Sequence, residues 1–261
     1  MNKKWLAFLG VFLIVAGCGV FLGVCIAARF DLDKLDATEY RRDTITVTDS
    51  FTNIDFEVDV SDLALKRSDD GSCRVEILET DKITHSVTVD HDTLVIRSEE
   101  NRKWYDNFGF FLKSPVITVY LPADTYDTLH ADGSTSDVTV PAGFSFANVD
   151  IDLSTGDLKF ESNVTGTLSI KTSTGDVALD GCKASELTIK TSTGDVSLAD
   201  ISCPRTTIRT STGEVNGTLR TPVTVTAKSS TGDISIPKET GDGTCDIVTS
   251  TGDIDIRFKN D

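Results

Sequence analysis

The sequence predicts an all-β protein: a β-solenoid, resembling a parallel β-helix with coils of 19 residues, behind one N-terminal transmembrane helix. Three observations carry that prediction. An uncharged apolar run occupies residues 5–28, the tetrapeptide Ser-Thr-Gly-Asp recurs through the second half, and residues alternate with period two on both sides of each copy. The chain has 261 residues, with 25 Lys+Arg against 41 Asp+Glu and a formal charge of −16. Such a balance argues against a nucleic-acid partner, which needs a basic face to neutralise phosphates. With 39% hydrophobic residues the chain holds enough apolar material for a folded core.

The apolar run from Trp5 to Ala28 comes first. At about 1.5 Å of rise per residue, a helix of this length crosses a ~30 Å hydrocarbon layer with some tilt. Lys3 and Lys4 precede it, while Asp31, Asp33 and Asp36 follow Arg29. The positive-inside bias therefore places residues 1–4 in the cytoplasm and everything after the helix outside the cell membrane. Two rival readings stay open. A cleaved signal peptide wants a shorter apolar core and a better site than Cys25-Ile26-Ala27-Ala28. A lipobox is suggested by Val15-Ala16-Gly17-Cys18, but the residues after Cys18 remain apolar where a polar tether is expected.

Residues 29–42 read as a juxtamembrane linker, and residues 43–130 as irregular β coils that cap the array. Thr44–Val47, Ile54–Val58, Val87–Val89, Leu94–Ile96 and Val116–Leu121 all have strand character. Val58–Leu65 looks like a diverged coil with a Ser/Asp turn. A separate small β domain is the alternative for this half. Between two of its strands lies an aromatic segment with Trp104, Tyr105, Phe108, Phe110 and Phe111. It reads either as an insertion folded over an exposed end of the core or as a contact surface for a partner or the membrane.

The regular array occupies residues 131–261. Ser-Thr-Gly-Asp begins at Ser154, Ser173, Ser192, Ser230 and Ser250, with Ser-Thr-Gly-Glu at Ser211, at intervals of 19 residues and a last one of 20. A degenerate copy starts at Ser134. Aligning the copies gives apolar columns: Leu168, Leu187, Thr206, Val225 and Cys245; Ile170, Ile189, Ile208, Ala227 and Ile247; Val177, Val196, Val215, Ile234 and Ile254. One repeat has too few inward residues to bury alone, so it must stack on its neighbours. Antiparallel hairpins about Thr-Gly are the competitor, but Thr-Gly is a weak hairpin turn and constant columns suit coil-on-coil registry better.

These features together resemble the membrane-anchored β-strand-repeat proteins of Gram-positive bacteria, a family of candidate adhesins of unknown function that includes LiaG-like proteins. The match rests on the anchor at Trp5–Ala28, the strand ending at Leu121-Pro122 and the turns from Ser154 to Ile254, and so covers nearly the whole chain. The resemblance implies an extracytoplasmic β-repeat domain and supplies no catalytic residues.

The repeated acids Asp157, Asp176, Asp195, Glu214, Asp233 and Asp253 are the candidate metal ligands. Like charges about 4.8 Å apart repel by about 0.9 kcal/mol even at the dielectric constant of water, so something must offset them. Ca²⁺ is one answer, although the nonapeptide of Ca²⁺-binding β-rolls and the EF-hand loop are absent. Hydrogen bonding to turn amides, with balance from the basic column Lys171, Lys190, Arg209 and Lys228, is the other. His85, His91 and His130 are scattered and read as solvated strand or turn residues. Cys245 falls in an inward column, and Cys182 and Cys203 sit in loops of adjacent coils, where a disulfide is geometrically open. No nucleophile elbow, phosphate loop, dinucleotide fingerprint or Cys-x-x-Cys pair occurs, so no cofactor and no enzymatic activity are expected. The expected function is adhesin-like binding or envelope-stress sensing, with the membrane as one partner and a cell-wall polymer or another envelope protein as a second. A polysaccharide-active solenoid enzyme and an inert spacer are the alternatives.

Overall fold

Alternation of apolar and polar residues dictates strands throughout, and strands are what form. The computed structural model describes residues 40–80, 83–100 and 115–259. The transmembrane run 5–28 and the aromatic segment with Trp104 to Phe111 lie outside them, and among the described residues no helix is long and apolar enough to cross a membrane. In chain order the first strands are β1 (Tyr40–Val47), β2 (Asn53–Val58), β3 (Asp62–Arg67), β4 (Cys73–Thr80), β5 (Ile83–Asp90), β6 (Thr93–Glu100) and β7 (Val116–Leu121). The repeats give β8 (Thr125–Thr135), β9 (Val138–Val140), β10 (Ser145–Thr155), β11 (Leu158–Phe160), β12 (Asn163–Val164), β13 (Thr167–Thr174) and β14 (Val177–Asp180). They continue as β15 (Glu186–Thr193), β16 (Val196–Ile201), β17 (Arg205–Arg209), β18 (Val215–Leu219), β19 (Thr224–Thr231), β20 (Ile234–Ser235), β21 (Thr244–Thr251) and β22 (Ile254–Phe258).

Each repeat is one rung. Its longer strand joins a first parallel wall, and the strand after the Gly turn joins a second. The first wall runs β6–β2–β8–β10–β13–β15–β17–β21–β19, and the second β7–β3–β9–β11–β14–β16–β18–β22–β20. No hairpin forms about Thr-Gly; Leu168 pairs with Leu187 and Val177 with Val196, rung on rung, as the columns require. The inward columns make one continuous core. In the first repeats it is filled by aromatics, with Tyr126, Phe146 and Phe160 spaced about 6 Å between ring centres, and aliphatic side chains take over further along.

Chain order and spatial order differ at both ends. The rung β2–β3 lies between the rungs β6–β7 and β8–β9, which confirms the diverged coil at Val58–Leu65 and places it inside the stack. At the other end β21–β22 inserts between β17–β18 and β19–β20. The apolar columns are those of the sequence, but their order is corrected: Thr206 meets Cys245, which then meets Val225. The connection 236–243 is what permits the chain to step past one rung and return. As a result Ile234 belongs to the outermost rung and is 43% exposed, whereas Ile254, one rung inward, is buried.

The two ends are finished differently. Beyond the first rung the walls continue antiparallel, with β5 on β6, β4 on β7 and β1 on β4. Beyond β19 and β20 no further strand pairs among the described residues.

Candidate functional site

The Ser-Thr-Gly-Asp turn explains its own composition. Gly175, Gly194 and Gly213 have φ of +143°, +143° and +151°, a region open to glycine. A Cβ added to Gly194 would lie 2.0 Å from the carbonyl oxygen of Gly175, and one on Gly175 would lie 1.9 Å from that of Gly156. Each turn glycine is therefore required by the backbone of the rung beneath it.

The acid that follows is held just as regularly. Asp157 Oδ1 accepts the backbone N–H of Asp176 at 2.8 Å, Asp176 that of Asp195, and Asp195 that of Glu214, each at 2.8 Å. The ladder starts earlier than the repeat, with Asp62 accepting from Asp137 and Asp137 from Asp157. At the far end Asp253 accepts from Asp233. Between Glu214 and Asp253 the side-chain ladder is interrupted: the longer Glu214 carboxylate instead accepts from Asn216 at 3.3 Å. Hydrogen bonds from amides thus offset the like-charge repulsion along the turn edge. Among the described residues no group of three or more His, Cys, Asp or Glu side chains is placed to hold a metal ion.

The basic column lies elsewhere, on the outer face of the first wall. Lys171, Lys190 and Arg209 stand in direct register, then Val248 intervenes before Lys228 because the last rungs are exchanged. The same column continues the other way as Asp152, Asp132, Glu57 and Arg97. The face is therefore divided, with three carboxylates in a row and then three cations. Where the halves meet, Lys171 Nζ lies 2.5 Å from Asp152 Oδ2, and Arg97 pairs with Glu57 at 2.9 Å on the opposite flank. Lys190, Arg209 and Lys228 make no ion pair or side-chain hydrogen bond among the described residues. The sequence expectation that these cations balance the turn acids is corrected: among the described residues the one acid they pair with is Asp152, on the wall and not at the turn.

The second wall carries a groove of about 590 Å³ across several rungs. Its floor is small because the outward positions there are Ala178, Ser197 and Asn216 and because Gly217, in register with the inward Leu198 and Ile256, has no side chain, and ion pairs Lys159–Glu161 (2.7 Å) and Asp255–Arg257 (2.5 Å) stand at its ends. A bulge in β16 puts Asp200 at φ +57°, where it pairs with Lys259. These residues were missed in the sequence; small outward residues between the apolar ones were the available signal.

His85 is the other departure. Its side chain is fully buried and bridges Ser61 Oγ at 2.8 Å through Nε2 and Glu79 Oε2 at 3.3 Å through Nδ1, while its backbone N–H donates to Glu79 at 3.0 Å. Arg41 completes the chain with a 2.5 Å contact to Glu79 Oε1. Burial lowers the His85 pKa, against the pull of Glu79. The solvated role expected for it is therefore wrong; His91 and His130 do sit at the surface, beside Asp90 and Asp150. Ser61 has no exposed surface either, so the four side chains tie β1, β4, β5 and the start of β3 together. Cys73, Cys182, Cys203 and Cys245 are free, buried thiols, and burial pushes Cys182 and Cys245 up to about 12, which keeps them unreactive.

No curated protein matches the sequence. Among solved structures, a candidate cell-adhesion protein from Clostridium sporogenes is similar at 11% identity and a TM-score of 0.38, covering 85% of this chain and 100% of its own. A candidate adhesin from Bacteroides fragilis is similar at 17% identity and 0.43, covering 84% and 97%, and one from Parabacteroides distasonis at 12% and 0.46, covering 84% and 98%. The Toastrack (DUF4097) family model matches residues 51–261, the whole stack from the start of β2 onward, and the chain belongs to that family.

Proposed function

We propose that this chain is a binding module of the cell envelope, adhesin-like in action, with residues 5–28 anchoring it in the membrane, residues 1–4 in the cytoplasm and the Toastrack stack outside. The observation that carries the reading is the outer face of the first wall. Its polar and charged side chains stand in straight columns, rung on rung, on a scaffold whose backbone groups are paired across every interior rung. An extended surface of fixed spacing suits a repeating partner, such as a cell-wall polymer, better than a single small molecule. The reading assigns the chain no reaction.

The test uses the full chain in nanodiscs, incubated with purified envelope fractions and sedimented. Retention on a polymer-containing fraction, competed by the solubilised polymer, is the expected result. Loss of retention on every fraction overturns it. Protease added to intact cells should remove a C-terminal tag; full protection would reverse the orientation.

A further inference from the structure

The strongest unexplained feature of the molecule is a run of stacked positive charge, paired with a carboxylate at one end only, on a chain of formal charge −16. Lys171, Lys190 and Arg209 are consecutive in register, one rung (about 4.8 Å) apart. Lys190 and Arg209 are exposed and engage no carboxylate among the described residues, although acids outnumber cations in the chain. Like charges stacked at this spacing repel, and among the described residues the Lys171–Asp152 pair is the one ion pair that relieves them. Each cation is also flanked along its strand by outward hydroxyls: Ser169 and Ser173 beside Lys171, Thr188 and Ser192 beside Lys190, Thr207 and Ser211 beside Arg209. None of these six hydroxyls makes a side-chain hydrogen bond among the described residues.

We propose that the strip Lys171–Lys190–Arg209 binds a linear phosphate polymer laid along the stack axis. This rests on the binding-module reading and names its ligand class. One cation between two hydroxyls offers each rung donors on both sides of the charge. A tetrahedral phosphate, with oxygens out of one plane, meets that set; a planar carboxylate meets less of it. The guanidinium of Arg209 adds a two-pronged contact suited to phosphate oxygens. Asp152, Asp132 and Glu57 continue the same column and repel an anion, so they fix where the polymer stops. At the other end Val248 breaks the strip before Lys228.

The experiment measures anisotropy of fluorescent inorganic polyphosphate with the full chain in zwitterionic nanodiscs. Binding should be strong at low salt and fall steeply as salt rises. The double variant Lys190→Gln with Arg209→Gln should weaken it at least tenfold with an unchanged unfolding midpoint, whereas Lys228→Gln should change it less than twofold. Asp152→Lys, which lengthens the strip by one rung, should tighten it several-fold, so that a gain as well as a loss is read. The proposal is overturned if wild type does not bind polyphosphate, if the double variant binds within twofold of wild type, or if polygalacturonate binds and polyphosphate does not. Retention of wild type on envelope fractions without polyphosphate binding refutes the strip alone; loss of retention on every fraction refutes the binding module itself.

Discussion

Two columns of like charge run along this stack, and they are built in opposite ways. Along the turn edge each Asp from Asp62 to Asp195 accepts the amide of the next rung, so its charge is part of the scaffold. On the first wall Lys190 and Arg209 repeat with equal regularity and pair with no acid among the described residues. Repetition by itself therefore says little about role; what each copy touches decides it. A satisfied column holds rungs together, and an unsatisfied one is held together by the rungs despite itself.

The turn edge breaks most severely through its glycines. Gly194→Ala puts a Cβ about where the Gly175 carbonyl oxygen sits, at 2.0 Å, and forces φ +143° on a residue with a side chain. We expect a loss of about 3 kcal/mol or more in urea unfolding. Gly71→Ala is the control: φ is +73° but nothing lies within 4 Å, so the cost should fall to about 1 kcal/mol. Equal losses would show that conformation, and not contact with the rung beneath, fixes the turn glycine. Next comes the acid. Asp176→Ala removes the acceptor for the Asp195 amide and should cost about 1–2 kcal/mol, while Asp176→Asn, which keeps an oxygen there, should cost less. A neutral Ala variant would make the acid ladder as idle as the cation column.

Much of this comparison is legible in the sequence. The columns through Leu168, Ile170 and Val177 follow from period two and period 19, and the acids were visible as a series. The exchange of the last two rungs was not, because Val225 and Cys245, or Ala227 and Ile247, fill an inward position equally well and either order keeps the columns apolar. The amide-to-carboxylate ladder needs the rung offset, which spacing alone does not give. The site around His85 is hidden for another reason: Arg41, Glu79 and His85 belong to the antiparallel cap, where no repeat reports which strands meet, and they reach Ser61 in the turn between β2 and β3.

That cap supplies a third kind of charge, buried and titrating. His85 has a lowered pKa in the folded chain, so the unfolded chain binds more protons as pH falls through the ordinary His range. The stability it contributes is complete above about pH 6.5 and is lost as pH falls through the folded value. Between about pH 7.5 and pH 5.5, a window that spans the ordinary His range, a decline in stability is therefore the expected signature of the cap. His85→Gln should flatten the profile in that window; an unchanged slope would assign the decline elsewhere. A smaller effect tests the one gap in the acid ladder. Glu214→Asp shortens the carboxylate to the length used at every other rung and should add up to about 1 kcal/mol by accepting the Asp253 amide. No gain would mean that the gap is set by the exchanged rung and not by the extra methylene.

The smallest expected change is the most informative about the cation column, because its sign is opposite. Lys190 stands between Lys171 and Arg209 with no acid in contact. Lys190→Thr removes two unfavourable neighbours and adds a residue suited to a pleated surface. Stability should stay level or rise by about 0.3–0.5 kcal/mol at low salt. The gain should vanish near 1 M salt, where the screening length falls to about 3 Å, below the rung spacing. Asp176→Ala should remain destabilising under the same conditions, since a hydrogen bond to a backbone amide survives screening that a bare repulsion does not. If Lys190→Thr instead destabilises at every salt concentration, its side chain is holding rungs together, and the difference between the two columns disappears.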